Sequence, residues 1–187
     1  MRTAIKAFGE KRYGEFQLAA SIAAKNPGGI SDLERGQLDL MSGLLEWYQG
    51  RGQAASTLLR KVGDSGDSRT LRDAALKNLA ALYASVEDFE EAASVASSLR
   101  DSDPGVAWIR GYALMGAGDA KAAAAAYKRG LSSRGANQDA LLFNMALAQY
   151  RAGDKGGALS SMKEFVDVAN PAGSHPARRY ISIWSRE

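Results

Sequence analysis

The 187-residue sequence predicts an all-α fold, and three features of it carry that reading. Composition is the first. The chain holds 34 alanines, against 12 isoleucines and valines together and 3 threonines. Alanine is the strongest helix former, while the β-branched residues that favour strands are scarce. Periodicity is the second: apolar residues recur at steps of three and four in Leu58, Leu59 and Val62, in Leu76, Leu79, Leu82 and Tyr83, and in Leu142, Met145 and Ala146. A helix with one buried face has that period, and no segment shows the strict alternation of a half-buried strand. Third, the periodic segments are separated by short breaks at Tyr13-Gly14-Glu15, Gln49-Gly50-Arg51-Gly52, Gly118-Asp119 and Gly153-Asp154. These are too short for linkers and have the length that joins antiparallel helices.

The breaks recur. Placed at Gly14, Gly50, Glu87, Gly118 and Gly153, they are 36, 37, 31 and 35 residues apart, the period of helix–turn–helix arrays. Seven residues before each break stand Ala7, Gly43, Ala80, Gly111 and Ala146, and five residues after it Ala19, Ala55, Ala92, Ala123 and Ala158. All ten are small. Two antiparallel helices packed about 8–10 Å apart cannot hold large side chains from both at their crossing, so the pattern has a steric cause. Glycine at the break suits the left-handed residue that ends a helix. The following Asp88, Asp119 and Asp154 can cap the next helix or complement its dipole, and Pro104 reads as the close of a second helix.

These residues resemble the tetratricopeptide repeat. The best match is Leu76, Leu79-Ala80, Tyr83, Asp88-Phe89-Glu90-Glu91-Ala92 and Pro104. Two further units follow: Gly111, Ala113, Leu114, Gly118-Asp119, Ala123 and Tyr127, then Leu142, Met145-Ala146, Gly153-Asp154 and Ala158. In the unit around Gly43 to Val62, Asp39 and Ser42 occupy places expected to be apolar, and a one-residue shift would put Leu38, Met41 and Leu45 on the core face. The unit from Arg2 to Lys25 is the least regular. The resemblance implies one right-handed α-solenoid of about five antiparallel helix pairs, spanning 1–27, 31–63, 69–103, 104–134 and 137–170. A capping helix over 174–186 completes it, opened by Ser174 and Pro176, with Tyr180, Ile181 and Trp184 on one face.

Composition argues against catalysis. There is no cysteine and one histidine, which removes disulfides, Cys-ligated metals and thiol chemistry and leaves no multi-His site. His175 reads as a solvated surface residue beside Pro176. The Gly63-Asp64-Ser65-Gly66 run looks like a serine-protease nucleophile turn, but the only histidine lies downstream and the surroundings are helical, so a polar loop is expected over Val62–Asp67. Glu90-Glu91 suits a first helical turn, where carboxylates favour the dipole. No glycine-rich phosphate loop occurs. A non-enzyme without metal or cofactor is expected.

The 45% hydrophobic and 24% charged composition is that of a folded protein, and a net charge of +3 is a mild excess with no basic block. Nucleic acid is therefore not the expected partner. No run approaches the roughly 18 apolar residues of a membrane span, and the N-terminal MRTAIKAFGEKRYGEF lacks the apolar core of a signal peptide. The expected address is cytoplasmic, or periplasmic if the chain is an excised piece.

The resemblance also implies a concave groove lined by the first helix of each pair. Its places fall on Leu40, Leu44, Trp47 and Tyr48 in the second unit, and on Lys77, Asn78, Ala81 and Ala84 in the third. Trp108, Tyr112 and Met115 come from the fourth, and Phe143, Asn144, Leu147 and Tyr150 from the fifth. Members that clamp a C-terminal carboxylate set Lys, Asn and Arg there. Lys77 alone of those cations is present, and desolvating a carboxylate against this surface would cost roughly several kcal/mol. The expected function is an adaptor holding an apolar or amphipathic protein segment. Alternatives are an RNA-binding helical repeat and a scaffold that self-associates through terminal repeats into a homo-oligomer.

Overall fold

The computed structural model describes residues 2–65, 68–100, 103–133, 138–173 and 175–186. Among them are eleven α-helices, one 3₁₀ turn and no strand. The helices cluster into two compact units, residues 1–82 and 83–187.

In the first unit, α1 (Arg2–Gly9) and α2 (Tyr13–Lys25) form a hairpin, followed by the 3₁₀ turn Pro27–Gly29, then α3 (Asp32–Tyr48) and α4 (Gly52–Asp64). The helix α5 (Arg69–Ser85) runs across the unit boundary. A capping box starts α3: the Ser31 hydroxyl accepts from the Glu34 backbone N–H (3.3 Å), and the Glu34 carboxylate accepts from the Ser31 N–H (2.9 Å). That backbone bond, with a second from the Ser31 hydroxyl, draws the Glu34 carboxyl below its ordinary range. Leu38 and Leu45 are buried, so α3 takes the shifted register, and Asp39 pairs at its side with Lys61 (2.7 Å).

The second unit holds α6 (Phe89–Ser97), α7 (Pro104–Gly116), α8 (Ala120–Leu131), α9 (Gln138–Arg151), α10 (Lys155–Ala169) and α11 (Pro176–Trp184). Successive helices pack on one another, α7 also touches α9, and α11 rests on α10. Pro104 does not close a helix. It is the first residue of α7, where its missing N–H is no loss, and Asp103 caps that helix by accepting from Gly105 and Val106.

Nine of the ten small places are buried, and Ala19 is half-buried. A Cβ on Gly43 would stand 3.1 Å from the Leu59 side chain, and one on Gly111 would lie under 3.0 Å from three atoms of the Tyr127 ring. The crossing points therefore have no room to spare.

Five turns share one backbone device. The residue with positive φ is Lys11 (59°), Gly50 (77°), Glu87 (61°), Gly118 (88°) or Gly153 (86°). In each, the next N–H donates to the carbonyl five residues back: Arg12 to Ala7, Arg51 to Glu46, Asp88 to Tyr83, Asp119 to Leu114 and Asp154 to Gln149, all at 2.8–3.0 Å. This pattern satisfies carbonyls that a helix end leaves open. Four of the five breaks fall where the sequence places them. The first does not: Gly14 lies inside α2, and the left-handed residue is Lys11. Counted from Lys11, the two crossing places become Ala4 and Phe16, both buried, so the first pair carries one large residue where the others carry alanine. Asp119 and Asp154 cap α8 and α10 through their side chains, whereas Asp88 makes no such bond. The polar loop expected over Val62–Asp67 is shorter than that, because α4 continues through Asp64, and Gly66 and Asp67 lie outside the described residues.

A left-handed non-glycine residue costs about 1–2 kcal/mol. Glu87 is exposed and its φ is 61°. Glu87→Gly is expected to stabilise the chain by about 0.5–1 kcal/mol after the added unfolded-state freedom of glycine is subtracted. Urea denaturation checks this, and a lowered midpoint would contradict it.

Candidate functional site

Helical spacing divides α7 into two faces. Val106, Ala107, Ile109 and Ala113 turn inward, and Trp108, Tyr112 and Met115 fall on the other side. In α9, Leu141, Leu142, Met145, Ala146 and Ala148 are buried, leaving Asn144, Leu147, Tyr150 and Arg151 on the less buried face. These outer faces join residues of α6 and α11 around a cleft of about 510 Å³ within the second unit.

Six rings line it: Phe89, Tyr112, Tyr127, Tyr150, Tyr180 and Trp184. Trp184 is sandwiched, stacked on Tyr150 (centroids 4.6 Å, planes 11° apart) and on Tyr180 (5.2 Å, 22°). At the far wall Phe89 meets Tyr112 edge-on at 5.8 Å. Phe89 reaches that place because Gly116 has no side chain; a Cβ there would lie under 3.0 Å from three atoms of its ring. Trp108 extends the surface, stacked on Tyr112 at 5.5 Å with the planes 1° apart, and both rings remain 40% exposed. The Tyr127 side chain forms part of the floor. Burial, with a smaller contribution from Tyr112, raises its hydroxyl well above the ordinary tyrosine range, so it stays a neutral donor or acceptor.

The lining contains one cation, Arg151, and no carboxylate. Arg151 is exposed and has no ion pair among the described residues. The Asn144 side-chain amide donates to the Ala140 carbonyl (2.7 Å), which fixes its orientation on α9.

Of the groove places implied by the resemblance, the cleft collects Tyr112, Met115, Asn144, Leu147 and Tyr150, with Trp108 at its edge. Phe143 is engaged elsewhere, against Phe165 (5.2 Å), His175 (5.6 Å) and Tyr180 (6.3 Å). In the first unit Leu40, Leu44 and Trp47 are half-buried, while Tyr48 is 78% exposed with its ring 5.8 Å from Tyr13. On α5, Lys77 and Asn78 are half-buried, and Asn78 donates to the Ala74 carbonyl (2.8 Å).

His175 is not a solvated surface residue. It is half-buried between the Phe143 and Phe165 rings, and its Nδ1 caps α11 by accepting from the Ala177 N–H (3.2 Å). Ser174, the cap expected from sequence, lies outside the described residues. Phe89, Tyr127, Tyr180 and Trp184, none of them on a first helix, complete the site together with Arg151 at the end of α9, a place the groove pattern did not include. The four-residue spacing of Tyr180 and Trp184 is the one signal in the sequence that marks them as sharing a face. Among the described residues no group of three or more His, Cys, Asp or Glu could hold a metal ion, and no helix is long and apolar enough to cross a membrane.

No family model matches this sequence, and no curated protein matches it. Solved structures do. The chain is folded like MamA. One crystal structure of MamA is 15% identical, with 82% of each chain covered and a TM-score of 0.72. MamA AMB-1 is 17% identical over 92% of this chain and 91% of its own, at a TM-score of 0.70. MamA MSR-1 is 18% identical over 90% and 94%, at 0.68. At such low identity the MamA likeness concerns the fold, and it places the chain in the all-α helical-repeat class.

Proposed function

We propose that the chain is a non-enzymatic interaction scaffold of the tetratricopeptide type, whose cleft holds an apolar or amphipathic segment of a partner protein. The observation that carries this reading is the Trp108–Tyr112 pair, held in parallel by α7 and yet 40% exposed on each ring, beside a ring-lined cleft. Aromatic side chains lose little conformational freedom on binding and supply much of the energy at interfaces. A partner side chain seated among them gains about 25 cal/mol for each Å² of apolar surface it removes from water. The lining also argues for binding over chemistry. Its polar groups are an amide, a guanidinium and phenols, with no imidazole or carboxylate to carry a proton near neutral pH.

Replacing both rings, Trp108→Ala with Tyr112→Ala, is expected to cut partner affinity by about 30-fold, equivalent to about 2 kcal/mol. Recovery of bound partner from native extract, compared with wild type and with the helical signal matched, checks this. Unchanged recovery would remove the cleft from the function.

A further inference from the structure

Building on that reading, we infer that the partner segment places an acidic side chain beside its apolar anchor, and that Arg151 selects it. The charge of the cleft decides the sign. Its lining holds one cation, Arg151, and no carboxylate. Arg151 is the last residue of α9, exposed, and without an ion pair among the described residues. The other polar groups of the lining are phenols, the Asn144 amide and the Trp184 indole N–H, which carry no formal charge. No lining residue balances the guanidinium, so the counter-charge is left for the partner to bring.

A ring-lined cleft has another way to recruit charge, since aromatic faces attract cations. Here the rings are largely stacked on one another. Trp184 is stacked against both Tyr150 and Tyr180, and Tyr112 against Trp108. A ring whose faces are taken offers its edge, the positive part of its quadrupole. A cationic segment would also meet the guanidinium, and like charges brought together weaken association. Both effects favour a negative group. A carboxylate matches a guanidinium in planar, two-bond geometry. Because Arg151 is exposed, the pair forms where water still reaches the acid, so the cost of dehydrating it stays small. The sequence-based objection to a carboxylate rested on Lys77 as the one matching cation among the groove places. Arg151 stands one residue past the last of those places, Tyr150.

Four synthetic helical peptides test the inference. All carry the same Phe and Leu one turn apart, and binding to the full chain is read by titration calorimetry at low and high salt. Three have amidated ends and bear glutamate, glutamine or lysine in the turn next to the anchors; the fourth bears glutamine there and a free terminal carboxylate. The glutamate peptide is expected to bind about fivefold more tightly than the glutamine peptide, the upper end for an ion pair that water reaches. The lysine peptide is expected to be weakest, the free terminus to add nothing, and the gaps to close at high salt. Arg151→Gln is expected to bring the glutamate peptide to the affinity of the glutamine peptide and to leave the latter unchanged. Lys121→Gln removes an equal charge from a residue lining a different groove and is expected to keep the preference. Equal binding of the glutamate and glutamine peptides to wild type, a preference that survives Arg151→Gln or is lost equally in Lys121→Gln, or tightest binding of the free terminus would overturn the charge inference while leaving the cleft as a binding site. Equal binding to Tyr112→Ala and wild type, or no binding of any peptide, would overturn the cleft reading and this inference with it.

Discussion

Gly111→Val lowers the stability of the chain by about 3 kcal/mol, the upper end of the usual range for overpacking a helix crossing. The cause is local. Gly111 is buried on α7 directly beneath Tyr127 of α8, and even one added carbon would lie under 3.0 Å from three ring atoms. The ring cannot step aside, because it is among the largest fully buried side chains in the protein. The helix preference of a non-glycine residue returns only about 0.3–0.5 kcal/mol. For a chain of this size the loss corresponds to a Tm lower by about 6–12 °C. Pairing the substitution with Tyr127→Leu is expected to recover part of the loss, since the obstruction is removed at the cost of a cavity. Gly43→Val, whose added carbon would meet Leu59 at 3.1 Å, is expected to cost less. An unchanged melting curve for Gly111→Val would mean that α7 and α8 are not in this register.

Trp184→Ala is the second large effect, with an expected loss of about 3–5 kcal/mol. Trp184 is 6% exposed and fills the space between Tyr150 and Tyr180, so truncation removes two stacked contacts and leaves a void beneath α11. The same change widens the cleft on the α11 side, so bound peptide should lose affinity along with stability. Trp184→Phe keeps a ring in the stack and is expected to retain most of both. Thermal melts with peptide titration at a temperature where each variant is folded separate the two effects. A full retention of stability in Trp184→Ala would show that α11 does not hold this end of the unit together.

Helix positions and crossing points were legible because each depends on residues close in sequence. Gly50, Glu87, Gly118 and Gly153 sit at turns whose hydrogen bonds span five residues, and the alanines that face each other follow from those turns by counting. The first turn misled because Gly14 resembles the other breaks, while the left-handed place is taken by Lys11, which carries no glycine signal. Pro104 misled in another way. Proline both follows helices and starts them, and only Asp103, two residues into a segment with no periodicity, marks the start. The site was half legible. Tyr112, Leu147 and Tyr150 follow from helical spacing on α7 and α9, but Phe89 enters through the gap at Gly116, and Tyr180 and Trp184 arrive on a helix whose seating depends on tertiary packing. His175 escaped for the same reason: its Phe143 and Phe165 neighbours are 32 and 10 residues away in the chain.

The repeated backbone closure at Lys11, Gly50, Glu87, Gly118 and Gly153 needs no distant residue to complete it. Every hairpin so closed is a self-contained event in folding, and order is free to start at any of them and spread to its neighbours. Over descent the same autonomy makes the stretch from one bend to the next a natural cassette, open to duplication or excision with its ends already sealed.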